Sequence, residues 1–122
     1  MKKQRRVIIG DDNREVAHSL QQALQRYAFV DIAHSASHVI EACDTNLYDA
    51  VILDVEFGYG ISGLEAAGII REAHPEFRII IISALDYSTD VQQRTVELGA
   101  VFLQKTVTTE QLTSALDLGD LE

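Results

Sequence analysis

The sequence has one cysteine, one proline and ten basic residues against nineteen acids, for a formal charge of −9. A lone cysteine, Cys43, excludes an internal disulfide, and with no thiolate-stabilising cation beside it in sequence it reads as a small core residue. The single proline, Pro75, marks where a helix must already have ended. The shortage of bases argues against nucleic acid, because binding to a phosphate backbone is driven by clustered Lys and Arg. The one basic cluster, Lys2, Lys3, Arg5 and Arg6, is short enough to be a solvated lead-in to the first strand. No signal-peptide pattern and no apolar run of bilayer length is present, so a cytoplasmic location with no membrane contact is the expectation. No linker, low-complexity tract or internal repeat interrupts the chain.

What is present is enough apolar material for one core: 122 residues, 13.5 kDa, 47% hydrophobic. Short runs of Val, Ile and Leu alternate with segments of helical period, the pattern of a parallel sheet covered by helices on both faces. Strands are expected at Arg6 to Gly10, Val30 to Ala33, Ala50 to Asp54, Arg78 to Ser83 and Val101 to Gln104. Unbroken apolar character places Val51-Ile52-Leu53 and Ile79 to Ile82 in the middle of the sheet, whereas Asp31 marks the second strand as an edge. The first helix is expected over Arg14 to Ala28, with Val16, Leu20, Leu24 and Tyr27 on one stripe. The second runs from about Ser35 to Asp44. Capping-box pairs, Ser62 with Glu65, Thr89 with Gln92 and Thr108 with Gln111, open the remaining three. Gly99 supplies a left-handed stop after the fourth helix, and Leu112, Ala115 and Leu116 form the apolar face of the fifth.

Five βα units joined by right-handed crossovers make an open, doubly wound α/β sheet, whose sites lie at the carboxyl ends of the strands. Those ends carry Asp11 and Asp12, then Asp54, Ser83 and Lys105. With strand order 2-1-3-4-5 the contributing strands are neighbours, and three carboxylates, a hydroxyl and an ammonium meet in one place. A turn or cap after the first strand needs at most one of the two adjacent acids. Three clustered carboxylates repel one another and recruit a cation, and hard oxygen donors suit Mg²⁺ or Mn²⁺. An aspartate at a strand end can also act as nucleophile toward a phosphoryl group, with a divalent ion, a lysine and a hydroxyl offsetting the moving charge. On this reading Asp54 is the acceptor, Asp11 and Asp12 hold metal, and Lys105 and Ser83 bind the phosphoryl oxygens.

These residues, with VILD ending in Asp54, IIIIS ending in Ser83 before Ala84, ELGAVFLQK ending in Lys105, and Gly63-Leu64-Glu65 opening the third helix, resemble the receiver domain of two-component response regulators over essentially the whole chain. The resemblance implies a flavodoxin-like (βα)5 fold and Mg²⁺-dependent phosphorylation of Asp54 by a histidine kinase, a phosphotransfer protein or a small phosphodonor. It implies direct metal binding by Asp12, a water-mediated role for Asp11, and a further ligand from the backbone carbonyl of Glu56. It also implies a switch, in which Ser83 moves to the phosphoryl group and Phe102 turns inward, reshaping the face of helix four, strand five and helix five. That face would serve for dimerisation. Residues 1–122 would form one receiver domain, either a free-standing shuttle or a piece of a longer regulator or hybrid kinase with an output domain elsewhere, with Leu121-Glu122 as a cloning remnant.

The sequence departs from the family pattern in places. The loop VEFGYGISG after Asp54 lacks a common proline and carries Gly58 and Gly60, and Thr106 follows Lys105 where the family usually has proline. Glu56 adds a side-chain carboxylate at the rim. Leu85 offers no polar group to position a hydrolytic water, so it would prolong the phosphorylated state. His34 and His38 are four apart, but Ser35 places a helix start between them, which disfavours a shared metal. Self-phosphorylation and self-dephosphorylation, rather than enzymatic turnover, are expected. The rival readings are a small metal-dependent phosphatase or phosphotransferase, whose nucleophile would follow the first strand, and a phosphorylation-independent interaction domain, which would have lost some of these residues.

Overall fold

The computed structural model describes residues 5–57, 60–84 and 89–116. Its strands are β1 (Arg5–Gly10), β2 (Ala28–Ala33), β3 (Ala50–Asp54), β4 (Arg78–Ser83) and β5 (Val101–Gln104). They form one parallel sheet in the order β2-β1-β3-β4-β5, as expected. Between and after them run α1 (Arg14–Leu24), α2 (Ala36–Thr45), α3 (Gly63–Ala73), α4 (Thr89–Glu97) and α5 (Thr109–Ala115). Among the described residues no helix is long and apolar enough to cross a membrane.

Because side chains alternate across a strand, the sheet divides the core in two. Val7, Ile9, Ile52, Ile80 and Ile82 face one way and pack on Ala17, Leu20 and Leu24 of α1 and on Leu112 of α5. Ile8, Val51, Leu53, Ile79 and Ile81 face the other and meet Val39 and Cys43 of α2, Ala66, Ala67 and Ile70 of α3, and Leu98 beyond α4. Burying each such side chain stabilises the fold by roughly 1.5–3 kcal/mol relative to exposure. β3 and β4, covered on both faces, are the apolar runs read as central strands. At the β2 edge, Asp31 accepts hydrogen bonds from the Tyr48 hydroxyl at 2.7 Å and the Arg6 guanidinium at 3.2 Å.

Local signals place the helix starts. Ser62 and Thr108 form full capping boxes with Glu65 and Gln111. Ser35 caps α2 by accepting from the His38 amide at 3.2 Å, so His34 lies outside the helix. Thr89 is the first residue within α4, not the residue preceding it. Gly99, with φ of 67°, turns the chain after α4 into β5. Arg71 of α3 ties this region together, donating to Leu98 O at 2.8 Å, Gly99 O at 3.3 Å, Pro75 O at 2.9 Å and Phe77 O.

The α1–β2 junction departs from expectation, with β2 beginning at Ala28 and not at Val30. α1 stops at Leu24, and Tyr27 leaves the helical stripe, because Ala28 and Phe29 pair with Arg5 and Arg6 in the β1–β2 ladder. Helical periodicity continues past a point where strand pairing takes the backbone. Lys2, Lys3, Gly58, Leu85, Leu121 and Glu122 lie outside the described residues.

Candidate functional site

β1, β3, β4 and β5 end side by side, and their register brings the expected residues together. β1 leads directly into Asp11, which is fully buried, and Asp54, the last residue of β3, is 5% exposed. The Lys105 ammonium reaches both, donating to Asp54 Oδ2 at 2.8 Å and Asp11 Oδ2 at 3.1 Å. Lys105 is aimed by its backbone: its amide donates to the carbonyl of Ser83 at 2.7 Å, extending the β4–β5 pairing one step past Gln104. The Lys105–Thr106 peptide is cis.

The adjacent acids separate into different tasks. Asp11 Oδ1 accepts from the Asn13 amide at 2.9 Å and closes a tight turn, while its second oxygen meets Lys105. Neither acid caps α1; Asn13 does, accepting from the Val16 amide at 3.1 Å. Asp12 is thereby left exposed beside the buried pair. Oxygens of Asp11, Asp12 and Asp54 lie within 4.8 Å of one another. Three hard, anionic donors so placed fit a small divalent cation such as Mg²⁺. A further polar contact comes from His34, whose Nδ1 lies 3.0 Å from the carbonyl oxygen of Asp11, fixing the first turn of this loop.

Glu56 lies partly exposed at the edge of the site. Its amide donates to Asp54 Oδ1 at 2.9 Å, and its side chain turns inward to accept from the Ser83 hydroxyl at 3.0 Å. Phe102 is half-buried in β5 against the α2–α3–α4 side of the core. Gly63 completes the frame: its amide donates to Val55 O at 2.9 Å, and a Cβ there would lie 2.0 Å from Asp54 O. α3 can start this close to β3 only with glycine.

The electrostatics follow from burial and mutual proximity. Burial pushes the Asp11 carboxyl above its ordinary range; the Asp54 charge adds to this, and the Asn13 amide and Lys105 oppose it. Glu56 is likewise raised, first by burial, with the bond from Ser83 opposing and the nearby Asp54 charge reinforcing. Burial works against the Lys105 charge, but its bonds to Asp54 and Asp11 outweigh this and leave it raised. The site therefore carries a secure cation in a net negative pocket.

The comparisons with known proteins decide the family. Residues 7–117 match the profile of the response regulator receiver domain. The chain belongs to that family. This receiver domain is 27% identical over 114 residues to the probable transcriptional regulatory protein NarL of Mycobacterium tuberculosis, covering 91% of this chain and 52% of that protein. It thus spans about half the length of the curated relatives it matches. A CheY-like receiver domain protein from Methanospirillum hungatei JF-1 superposes with a TM-score of 0.86 at 20% identity, over 94% of this chain and 95% of that one. A response regulator from Burkholderia pseudomallei, solved with a phosphorylated aspartic acid, a calcium ion and citrate, gives 0.84 at 24% identity over 92% and 66%. At such identity these likenesses establish the fold.

Sequence reasoning identified the acids, the lysine and the serine from their strand-end positions. It missed Asn13 as the cap, His34 behind Asp11, and the pairing of Ser83 with Glu56. Asn13 had a signal, since an Asn directly before a helical pattern is a favoured cap. The Ser83–Glu56 bond joins residues 27 apart and had none.

Proposed function

We propose that this receiver domain accepts a phosphoryl group on Asp54 and reports it by changing the face formed by α4, β5 and α5. The observation that carries the reading is the Lys105 ammonium bridging Asp54 and Asp11 beside the three-carboxylate cluster. Structural roles need one such residue at a time; a half-buried cation joined to two buried acids from two other strand ends is suited to handling transferred charge.

In the transfer, a carboxylate oxygen of Asp54 forms a bond to phosphorus while the bond from phosphorus to the donor breaks. With a kinase's or phosphotransfer protein's phosphohistidine, the leaving imidazole nitrogen keeps the electron pair and is protonated from solvent. Lys105 holds the acceptor carboxylate beforehand and stays beside the added negative charge afterwards. Ser83 donates its hydroxyl to a phosphoryl oxygen. Asp11, Asp12, Asp54 and the Glu56 carbonyl would hold Mg²⁺ or Mn²⁺, which when bound would offset negative charge on the transferring group. The Burkholderia pseudomallei regulator, which shares this fold, was solved with a phosphorylated aspartic acid and a calcium ion.

Ser83 and Phe102 carry the signal outward. β4 and β5 pair through Ile81 and Phe102, so a rotation of the half-buried Phe102 ring alters the surface bearing Val96 and Val101, which are 74% and 38% exposed. That surface would meet a second copy or an output domain, which the greater length of the NarL relative supports. The chemistry is self-modification in the cytoplasm, not turnover. Incubation with acetyl phosphate and Mg²⁺ should add the mass of one phosphoryl group to the wild type and none to Asp54→Ala. No mass gain in the wild type refutes the proposal; steady multiple turnover of a phosphomonoester would support a phosphatase instead.

A further inference from the structure

Ser83 is fully buried at the end of β4, and its backbone is held on one side by the β5 pairing that continues into the Lys105 amide. Its hydroxyl points to Glu56 Oε2 at 3.0 Å. A hydroxyl has one proton to donate, and an ionised carboxylate only accepts. A phosphoryl oxygen also only accepts. The serine therefore faces two anions that want the same proton, and in this structure Glu56 has it.

Glu56 is tied into the site at a second point, since its amide donates to Asp54 Oδ1 at 2.9 Å. One residue thus touches both the acceptor and the serine, through different groups. Its carboxylate lies where it repels added negative charge on Asp54 and occupies the donor that would bind that charge. We infer that the Glu56 side chain is a built-in competitor for the Ser83 hydroxyl, a resident anion that engages the serine until a phosphoryl group on Asp54 displaces it.

This makes Glu56 a positioning residue for the switch, and it rests on the reading of Asp54 as acceptor. Phosphorylation becomes an exchange of one anionic partner of Ser83 for another. The serine's gain on activation is then a difference between two charge-assisted hydrogen bonds, which sets a threshold on the switch.

A double-mutant cycle separates this competition from simple charge repulsion. The affinity of the intact chain for beryllofluoride in the presence of Mg²⁺ is measured for wild type, Glu56→Ala, Ser83→Ala and the double variant. Removing Glu56 relieves repulsion in both serine backgrounds, but frees a hydroxyl only where Ser83 is present. We expect Glu56→Ala to tighten binding about tenfold more with Ser83 than without it, the scale of one charge-assisted hydrogen bond. Without beryllofluoride, the Ser83 and Phe102 amide resonances of Glu56→Ala should shift toward their positions in the bound wild type. Glu56→Gln, which keeps the size and neutralises the charge, replaces the alanine variant if that one fails to fold, and should give the same sign. Equal changes in both serine backgrounds, or weaker binding on removing Glu56, would overturn the competition while leaving Asp54 as acceptor. A wild type that neither binds beryllofluoride nor gains a phosphoryl group would instead remove the reading on which the inference rests.

Discussion

Replacing Gly63 with alanine sets two effects of opposite sign against each other. Away from any neighbour, Gly→Ala at a helix start favours the helix and narrows the unfolded ensemble, together about 1 kcal/mol of stabilisation. At Gly63 the new Cβ would lie 2.0 Å from Asp54 O, 2.8 Å from Asp54 C and 3.0 Å from Val55 Cα. These are backbone atoms of a central strand and its exit, held by Asp54 pairing with Ile82 and by the Val55 amide bonding to Ile82 O at 3.0 Å. They cannot rotate aside as a side-chain tip would, so α3 must back away and loosen the Gly63–Val55 bond. Overpacking of about 3 kcal/mol and about 1 kcal/mol for that bond, less the propensity gain, leaves a net loss of about 3 kcal/mol. Gly68, in the middle of the same helix, is the control. A Cβ there meets Arg94 Nη2 at 3.5 Å and Leu98 Cδ2 at 4.0 Å, both ordinary contacts, so Gly68→Ala should stabilise by about 0.5–1 kcal/mol. Urea unfolding with unchanged m-values measures both. A Gly63→Ala variant within ~0.5 kcal/mol of wild type would refute the claim that α3 is seated by contact with the end of β3.

Arg71→Ala removes a guanidinium that satisfies four carbonyls around the ends of α3 and α4, and should cost about 2–4 kcal/mol in the same assay, with Arg71→Lys recovering only part. Burial pushes the Cys43 thiol up to about 12, so native protein at pH 8 should resist thiol reagents that label it at once in denaturant. Burial also raises Tyr48, with its bond to Asp31 adding to the effect, so above about pH 9 the unfolded chain releases protons that the folded chain keeps. Stability should therefore fall as pH rises through that range, and a flat urea midpoint up to pH 11 would contradict it. Free Mg²⁺ at ten times its dissociation constant should stabilise by about 1.4 kcal/mol, visible as a higher thermal midpoint, and Asp12→Asn should need far more metal for the same rise. Because Asp12 is exposed and its charge opposes those of Asp11 and Asp54, that variant should melt no lower than wild type without metal.

The legible parts of the fold were those specified locally or by strong apolar runs. Arg78–Ser83 and Ala50–Asp54 end where expected because a burial pattern and a polar residue coincide there. Ser62 and Thr108 could be read because a capping box needs only residues three apart. The end of α1 could not, because it is decided by the β1–β2 ladder and not by the helix's own sequence. The same division runs through the site. Asp11, Asp54, Ser83 and Lys105 were legible from topology, since consecutive strand ends must converge. Which oxygen meets which donor was not, and so the Ser83–Glu56 bond and the sharing of Lys105 between two acids appear only in the structure.

That lysine also gives the site a history during synthesis. Lys105 lies 94 residues beyond Asp11 and 51 beyond Asp54, so both acids leave the ribosome long before their cation exists. A chain truncated before β5 would have to leave Asp11 buried without a counter-charge, leave it open to water, or lend it to whatever divalent ion is at hand. The last strand to arrive is the one that brings the acids' own cation, so acceptance of the final strand and completion of the charged centre are a single event. Until then the nascent chain has every carboxylate of its signalling site and no lysine to restrain them.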